Sequence, residues 1–184
     1  MLLDATTPGA ELVVCTFKEG VLAAAGHDLR LRFERFVVEF VAPASLTVTA
    51  FADSLSVVTA LVRGEVADGA LSKSDKLKIA RVAREEVLEA GRFPTITFQA
   101  TSISADGDAV HIAGDVTLKG HRRALRLEAQ QVGDRLVVTC RVHQPDFGLK
   151  PYSAMFGALR IKADVEVTAT MPAAPFLASS PSAP

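Results

Sequence analysis

The sequence predicts one mostly antiparallel β-barrel domain of about eight strands, with a single amphipathic helix inserted between strands. Three observations predict it. Apolar and polar residues alternate with period two along most of the chain, the mark of strands with one buried face. Short turn signals separate those runs, at Asp106-Gly107-Asp108, Lys119-Gly120-His121 and Val132-Gly133-Asp134, so successive strands pair as hairpins. One stretch, from about Ser74 to Ala90, is periodic as a helix instead. A sheet with one apolar face needs a cover, and closing it on itself supplies the cover and removes the edges.

The elements follow in chain order. In Asp28–Glu34 the odd positions Leu29, Leu31 and Phe33 are apolar and the even ones charged. After Glu34-Arg35 the phase changes to Phe36, Val38 and Phe40, which requires either a β-bulge or a turn. In the helical stretch, Ile79, Val82, Ala83, Val87 and Ala90 share a face. Ser74 is the expected N-cap, Gly91 the expected residue after the last turn, and Pro94 stops the helix. Next come Ile96, Phe98 and Ala100, and then Val110, Ile112, Gly114, Val116 and Leu118. Leu125, Leu127 and Ala129 form a further apolar face, followed by Leu136, Val138, Cys140 and Val142. The cleanest run is the last, with Leu159, Ile161, Ala163, Val165, Val167 and Ala169 on one face. The domain is expected over residues 1–171, and the Pro-, Ser- and Ala-rich segment 172–184 reads as a disordered tail.

Composition narrows the function classes. A chain of 184 residues suits one domain. Its 20 Lys and Arg against 21 Asp and Glu leave no basic footprint for nucleic acid. No apolar run reaches the ~18 residues of a membrane span. The first residues lack a basic segment and apolar core, so a cytoplasmic location is expected. Cys15 and Cys140 lie in apolar strand-like runs without metal-ligand spacing and read as buried thiols.

Chemistry-bearing motifs are few. The sequence has no phosphate loop, no nucleophile elbow and no dinucleotide fingerprint. The histidines at 27, 111, 121 and 143 form no metal-ligand pair, so no metal, resident cofactor or catalytic residue is assigned. Gly26-His27-Asp28 opens a strand, and an adjacent carboxylate could orient an imidazole. Neighbours on a strand point to opposite faces, however, so a capped turn is the plainer reading. Phe147, between Asp146 and Gly148, suits a plug for a barrel end. A barrel of about eight strands is either filled or holds one small ligand. Small inward residues at Ala100, Gly114, Ala129, Ala163 and Ala169 leave room for the second case.

Four stretches in order resemble the YceI-like family of lipid-binding proteins. They are Arg92-Phe93-Pro94-Thr95-Ile96-Thr97-Phe98 after the helix, Ile112-Ala113-Gly114-Asp115-Val116-Thr117-Leu118-Lys119-Gly120, Val142-His143-Gln144-Pro145-Asp146-Phe147-Gly148-Leu149, and the closing strand from Leu159 to Val165. The resemblance implies a lipocalin-like barrel holding a long apolar molecule, a polyisoprenoid or a fatty-acid derivative, and no catalysis. The expected apolar lining is Leu31, Phe33, Phe36, Phe40, Phe98, Ile112, Val116, Leu127, Val138, Ile161 and Val165. His27, His121 and Tyr152, near strand ends, are the expected rim. The alternatives are an enzyme at the barrel mouth with His27 as base, and a non-binding domain acting through homodimerisation.

Overall fold

The computed structural model describes residues 1–41, 45–106 and 109–177. Gly107 and Asp108 of the first expected turn, and residues 178–184 of the expected tail, lie outside the described residues.

The alternating runs form antiparallel strands β1 (Glu11–Thr16), β2 (Asp28–Phe33, continuing as Phe36–Val41), β3 (Ser45–Phe51, continuing as Leu55–Val62) and β4 (Thr95–Asp106). Strands β5 (Ala109–Leu118), β6 (His121–Val132), β7 (Arg135–His143) and β8 (Asp164–Pro172) follow. The order of pairings is circular. Each of β3 to β8 pairs with the strand before it, β8 returns to β1, and β1 pairs with β2. Two short segments, Leu2–Asp4 against β2 and Glu65–Ala67 against β3, complete the twelve-membered sheet.

The phase change in β2 is a bend. Leu29, Leu31 and Phe33 are buried before it, and Phe36, Val38 and Phe40 after it. Pairing continues through the bend, with the Glu34 amide donating to the Ser54 carbonyl at 3.2 Å and the Phe51 amide to the Arg35 carbonyl at 3.1 Å. The Ser54 hydroxyl accepts from the Arg35 amide at 3.1 Å and donates to the Phe51 carbonyl at 2.7 Å. The bend therefore keeps its polar groups satisfied while switching which residues face inward.

One flank of the curled sheet is not strand. Phe51 pairs with Thr95, the first residue of β4, so the second half of β3 runs on without that neighbour. Helix α1 (Lys73–Val82) and its wider-wound continuation Ala83–Val87 stand there. Lys76 donates to the Val58 carbonyl at 2.6 Å and Arg84 to the Asp53 carbonyl at 3.0 Å, tying the helix to β3. Val58 is skipped in the β2–β3 register, which leaves its carbonyl free for Lys76.

Several expectations shift by a few residues for identifiable reasons. The N-cap is Ser72 rather than Ser74, because Asp75 three residues on completes a reciprocal capping box. Glu89 (φ 50°), not Gly91, takes the left-handed position after the helix, where Lys119 pairs with it. The last run is not one strand. Leu159–Ile161 joins a separate small sheet, and β8 begins at Asp164. Buried Gln144 makes the break, its amide donating to the Ala163 carbonyl at 2.9 Å and its side chain to the Lys162 carbonyl at 3.0 Å. The chain is placed past residue 171: a short helix, Ala174–Leu177, follows β8.

That helix helps fill one end of the barrel. Phe176 meets Phe40 with ring centroids 5.3 Å apart, beside a core containing Leu3, Phe36, Val38, Leu46, Ile112 and Met171. Phe36 and Val38 are each only 2% exposed. The N-terminal amine donates to the Phe40 carbonyl at 2.6 Å, pinning the Leu2–Asp4 segment over the same end.

Candidate functional site

Toward the opposite end the inward side chains do not meet. They leave a cavity of about 540 Å³. Its walls come from every barrel strand, and its roof from the apolar face of the helix, through Ile79, Val82, Ala83 and Val87. The volume lies within the range of small-molecule sites, roughly 300–1,000 Å³, which are typically apolar with a few placed polar groups. Pairing explains the wall. Val14, Val167 and Cys140 are neighbours on β1, β8 and β7, and all three line the cavity.

Of the expected lining, Leu31, Phe33, Phe98, Val116, Leu127, Val138, Ile161 and Val165 do line the cavity. Phe36, Phe40 and Ile112 do not. They are buried in the core away from the cavity, and the chain ends pack at Phe40, where the N-terminal amine and Phe176 meet it. The small residues act differently from expectation as well. At Gly114 a Cβ would lie 2.6 Å from the Phe98 ring and 2.5 Å from the Gln99 carbonyl, so this glycine admits Phe98 rather than leaving space. Ala129 is buried in the core, while Ala169 borders the cavity. Ala100 packs against the core, and Ala163 sits at the break made by Gln144.

At the rim, His27 and Tyr152 line the mouth, but His121 does not. The His121 ring packs onto Gly148, which has φ 66°; a Cβ there would fall 2.8 Å from Nε2. Just before it, Phe147 is buried, at 4% exposure, without reaching the cavity. Asp28 is not aimed at His27. Its carboxylate accepts the Lys18 backbone amide at 2.8 Å. Among the described residues His143 is the histidine paired with a carboxylate, with Nδ1 2.6 Å from Asp164, and that pair is solvent-exposed.

The mouth also contains charged residues that the sequence pattern does not place there. Lys18, Lys78 and Arg160 line it together with His27, Tyr152 and Gln144, and no Asp or Glu is among the described lining residues. Lys18 Nζ donates to the Gly26 carbonyl at 2.8 Å, and Arg160 lies 3.5 Å from Glu19. These side chains reach the mouth because a small sheet of Lys18–Glu19, Leu159–Ile161 and Ser153–Ala154 crosses it as a flap. Among polar wall atoms deeper in, Thr16 Oγ1 is buried without a hydrogen-bond partner among the described residues.

The cysteines occupy opposite faces. Cys140 borders the cavity, whereas Cys15 lies between the lining residues Val14 and Thr16 and points the other way. Both are free, and burial, with the Glu166 charge adding to it, pushes both thiols above their ordinary value of 9.0. They are protonated at neutral pH and poor nucleophiles. Among the described residues no helix is long and apolar enough to cross a membrane, and no cluster of metal-ligating side chains is present.

Comparison with known proteins places this geometry. The model of the YceI-like domain matches residues 15–173. Protein YceI of Escherichia coli O157:H7 is 40% identical over 48 residues, 26% of this chain and 25% of that protein. Protein YceI of Salmonella paratyphi B matches to the same extent, so the chain spans about a quarter of the length of these curated relatives. Among solved structures, Burkholderia cenocepacia BcnA superposes with a TM-score of 0.59 at 15% identity, covering 88% of this chain and 94% of that one. A polyisoprenoid-binding domain from Saccharophagus degradans, implicated in plant cell wall breakdown, superposes with a TM-score of 0.56 at 13% identity, covering 88% and 91%. At these identities the superpositions speak to the fold.

Proposed function

This chain belongs to the YceI-like domain family, and we propose that it binds one long apolar molecule, such as a polyisoprenoid or fatty-acid derivative, in the hollow end of its barrel. The observation that carries the reading is the 540 Å³ apolar cavity, with Lys18, Lys78, Arg160, His27 and Tyr152 as the polar part of its lining. Burial of each methylene contributes about 0.8 kcal/mol. That contribution is non-directional, so the walls select for length and bulk rather than for chemical identity.

Orientation falls to the mouth. Lys18, Lys78 and Arg160 are cationic, while His27, Tyr152 and Gln144 offer hydrogen bonds. With three cations and no lining carboxylate, this rim favours a head group that is anionic or accepts hydrogen bonds. The reading is one of sequestration or carriage, with no bond made or broken. The polyisoprenoid-binding description of the Saccharophagus degradans domain supports the ligand class.

Native mass spectrometry of the full chain, purified without detergent and then extracted with organic solvent, tests the reading. An extra mass that the solvent releases as a lipid-soluble molecule is expected. A bare chain that stays bare after incubation with excess palmitate and a polyprenol would overturn it.

A further inference from the structure

The flap that crosses the mouth carries a second feature. Its two tips, around Gly20–Leu22 and Met155–Ala158, are locked together. The Leu22 amide donates to the Ala158 carbonyl at 2.9 Å, and Gly20 lies so close to that carbonyl that a Cβ would be 2.5 Å away. This crest presents Val21 at 89% exposure and Phe156 fully exposed, with Leu22 beside them. Phe156 is held in the left-handed backbone region (φ 54°, ψ 34°), where a bulky side chain is rare. An aromatic residue kept in an unfavourable conformation in order to face water is an expense that folding alone does not explain.

Cations outnumber carboxylates where the crest meets the cavity. Over residues 17–28 and 150–164, Lys18, Lys150, Arg160 and Lys162 stand against Glu19, Asp28 and Asp164, and the adjoining cavity lining holds Lys18, Lys78 and Arg160 with no carboxylate among the described residues. The crest is also continuous with the cavity, because Tyr152, Leu159, Arg160 and Ile161 of the same flap line the mouth. Protruding apolar side chains beside a cation-lined mouth suit insertion into the headgroup region of an anionic bilayer. A protruding crest gives a protein partner no groove to fill.

We propose that this crest, with Val21, Leu22 and Phe156 at its tip, seats the barrel mouth on an anionic lipid surface, so that the apolar cargo passes between bilayer and cavity without crossing water. The inference builds on the cavity reading, but its test separates the two. The full chain is mixed with vesicles of phosphatidylcholine, with or without phosphatidylglycerol, and floated on a density gradient. The wild type should float with the anionic vesicles, and less so as salt rises. Val21→Ser combined with Phe156→Asn should weaken partitioning by at least about tenfold; asparagine tolerates the left-handed backbone, so the flap keeps its shape. Lys150→Gln with Lys162→Gln should weaken floating on anionic vesicles only. Binding of a fluorescent fatty acid without vesicles should be unchanged in both variants. The proposal falls if the wild type does not float, or if the Val21/Phe156 variant floats as well as the wild type. It also falls if that variant only converts a dimer to a monomer, because the crest would then be an interface between copies. Loss of fatty-acid binding in the wild type would sink the cavity reading and leave the flotation result standing.

Discussion

Replacing Val167 with phenylalanine distinguishes a hollow barrel from a filled one by the sign of a stability change. Val167 sits mid-wall, flanked in register by Val14 and Cys140, and all three border the cavity. Phenylalanine adds four carbons. If the space is real, they enter it and bury further apolar surface, contributing about 1–2 kcal/mol at ~25 cal/mol per Å². For a chain of this size that raises Tm by roughly 2–8 °C. The same carbons take the place of ligand, and four methylenes' worth of burial, about 3 kcal/mol, weakens binding on the order of a hundredfold. Ala129→Phe is the control. Ala129 pairs with Val138 but is 3% exposed in the core, so enlarging it overpacks and should cost about 1–3 kcal/mol. Thermal unfolding by circular dichroism and displacement of a fluorescent fatty acid read both quantities. If Val167→Phe is destabilised as much as Ala129→Phe and still binds the fatty acid at wild-type strength, the cavity argument is wrong.

Three further expectations follow from the fold. Phe36→Ala should cost about 3–5 kcal/mol, a fall in Tm of roughly 6–20 °C, because the side chain is almost wholly buried at the filled end; a loss below about 1 kcal/mol would mean the plug is loose. Gly114→Ala should cost about 1–3 kcal/mol in urea unfolding, since the new methyl group meets the Phe98 ring and the Gln99 carbonyl; a neutral result would refute the close approach. Ser72→Ala removes the helix cap and should cost about 1 kcal/mol near neutral pH. The Ser72 side chain and amide hold the Asp75 carboxyl below its ordinary value of 3.8. A carboxyl depressed by folding stabilises fully above its unfolded pKa, and loses that contribution as pH falls through its folded pKa. The gap between wild type and Ser72→Ala should therefore narrow below about pH 4, and a gap independent of pH would contradict the capping box.

Much of the fold was legible because period-two alternation is a local signal. Leu29, Leu31, Phe33 and then Phe36, Val38, Phe40 show both the buried face and the bend at Glu34–Arg35. The hairpin at Lys119-Gly120 was legible too, since both residues adopt the left-handed backbone that a two-residue turn needs. The division of the barrel into filled and hollow ends was not. Phe33 and Phe36 carry the same signal, but Phe33 borders the cavity and Phe36 does not; on the strand of Phe36, Val38 pairs with Leu3 and Phe40 meets Phe176, both brought in from the ends of the chain. The mouth was hidden for a related reason. Alternation assigns Arg160 to solvent, but its strand leaves the barrel wall to join the flap, and Gln144 makes that departure by capturing the carbonyls of Lys162 and Ala163. The helix showed its apolar face in the sequence without showing that the face would roof a cavity.

The central claim is that one end of the barrel is an apolar slot of fixed depth. A titration of the full chain with saturated fatty acids of increasing length tests it most directly. Affinity should rise about fourfold per added methylene, the equivalent of about 0.8 kcal/mol, until the tail fills the cavity, and should then level off. Affinity that does not change with chain length, or no binding at any length, would contradict it.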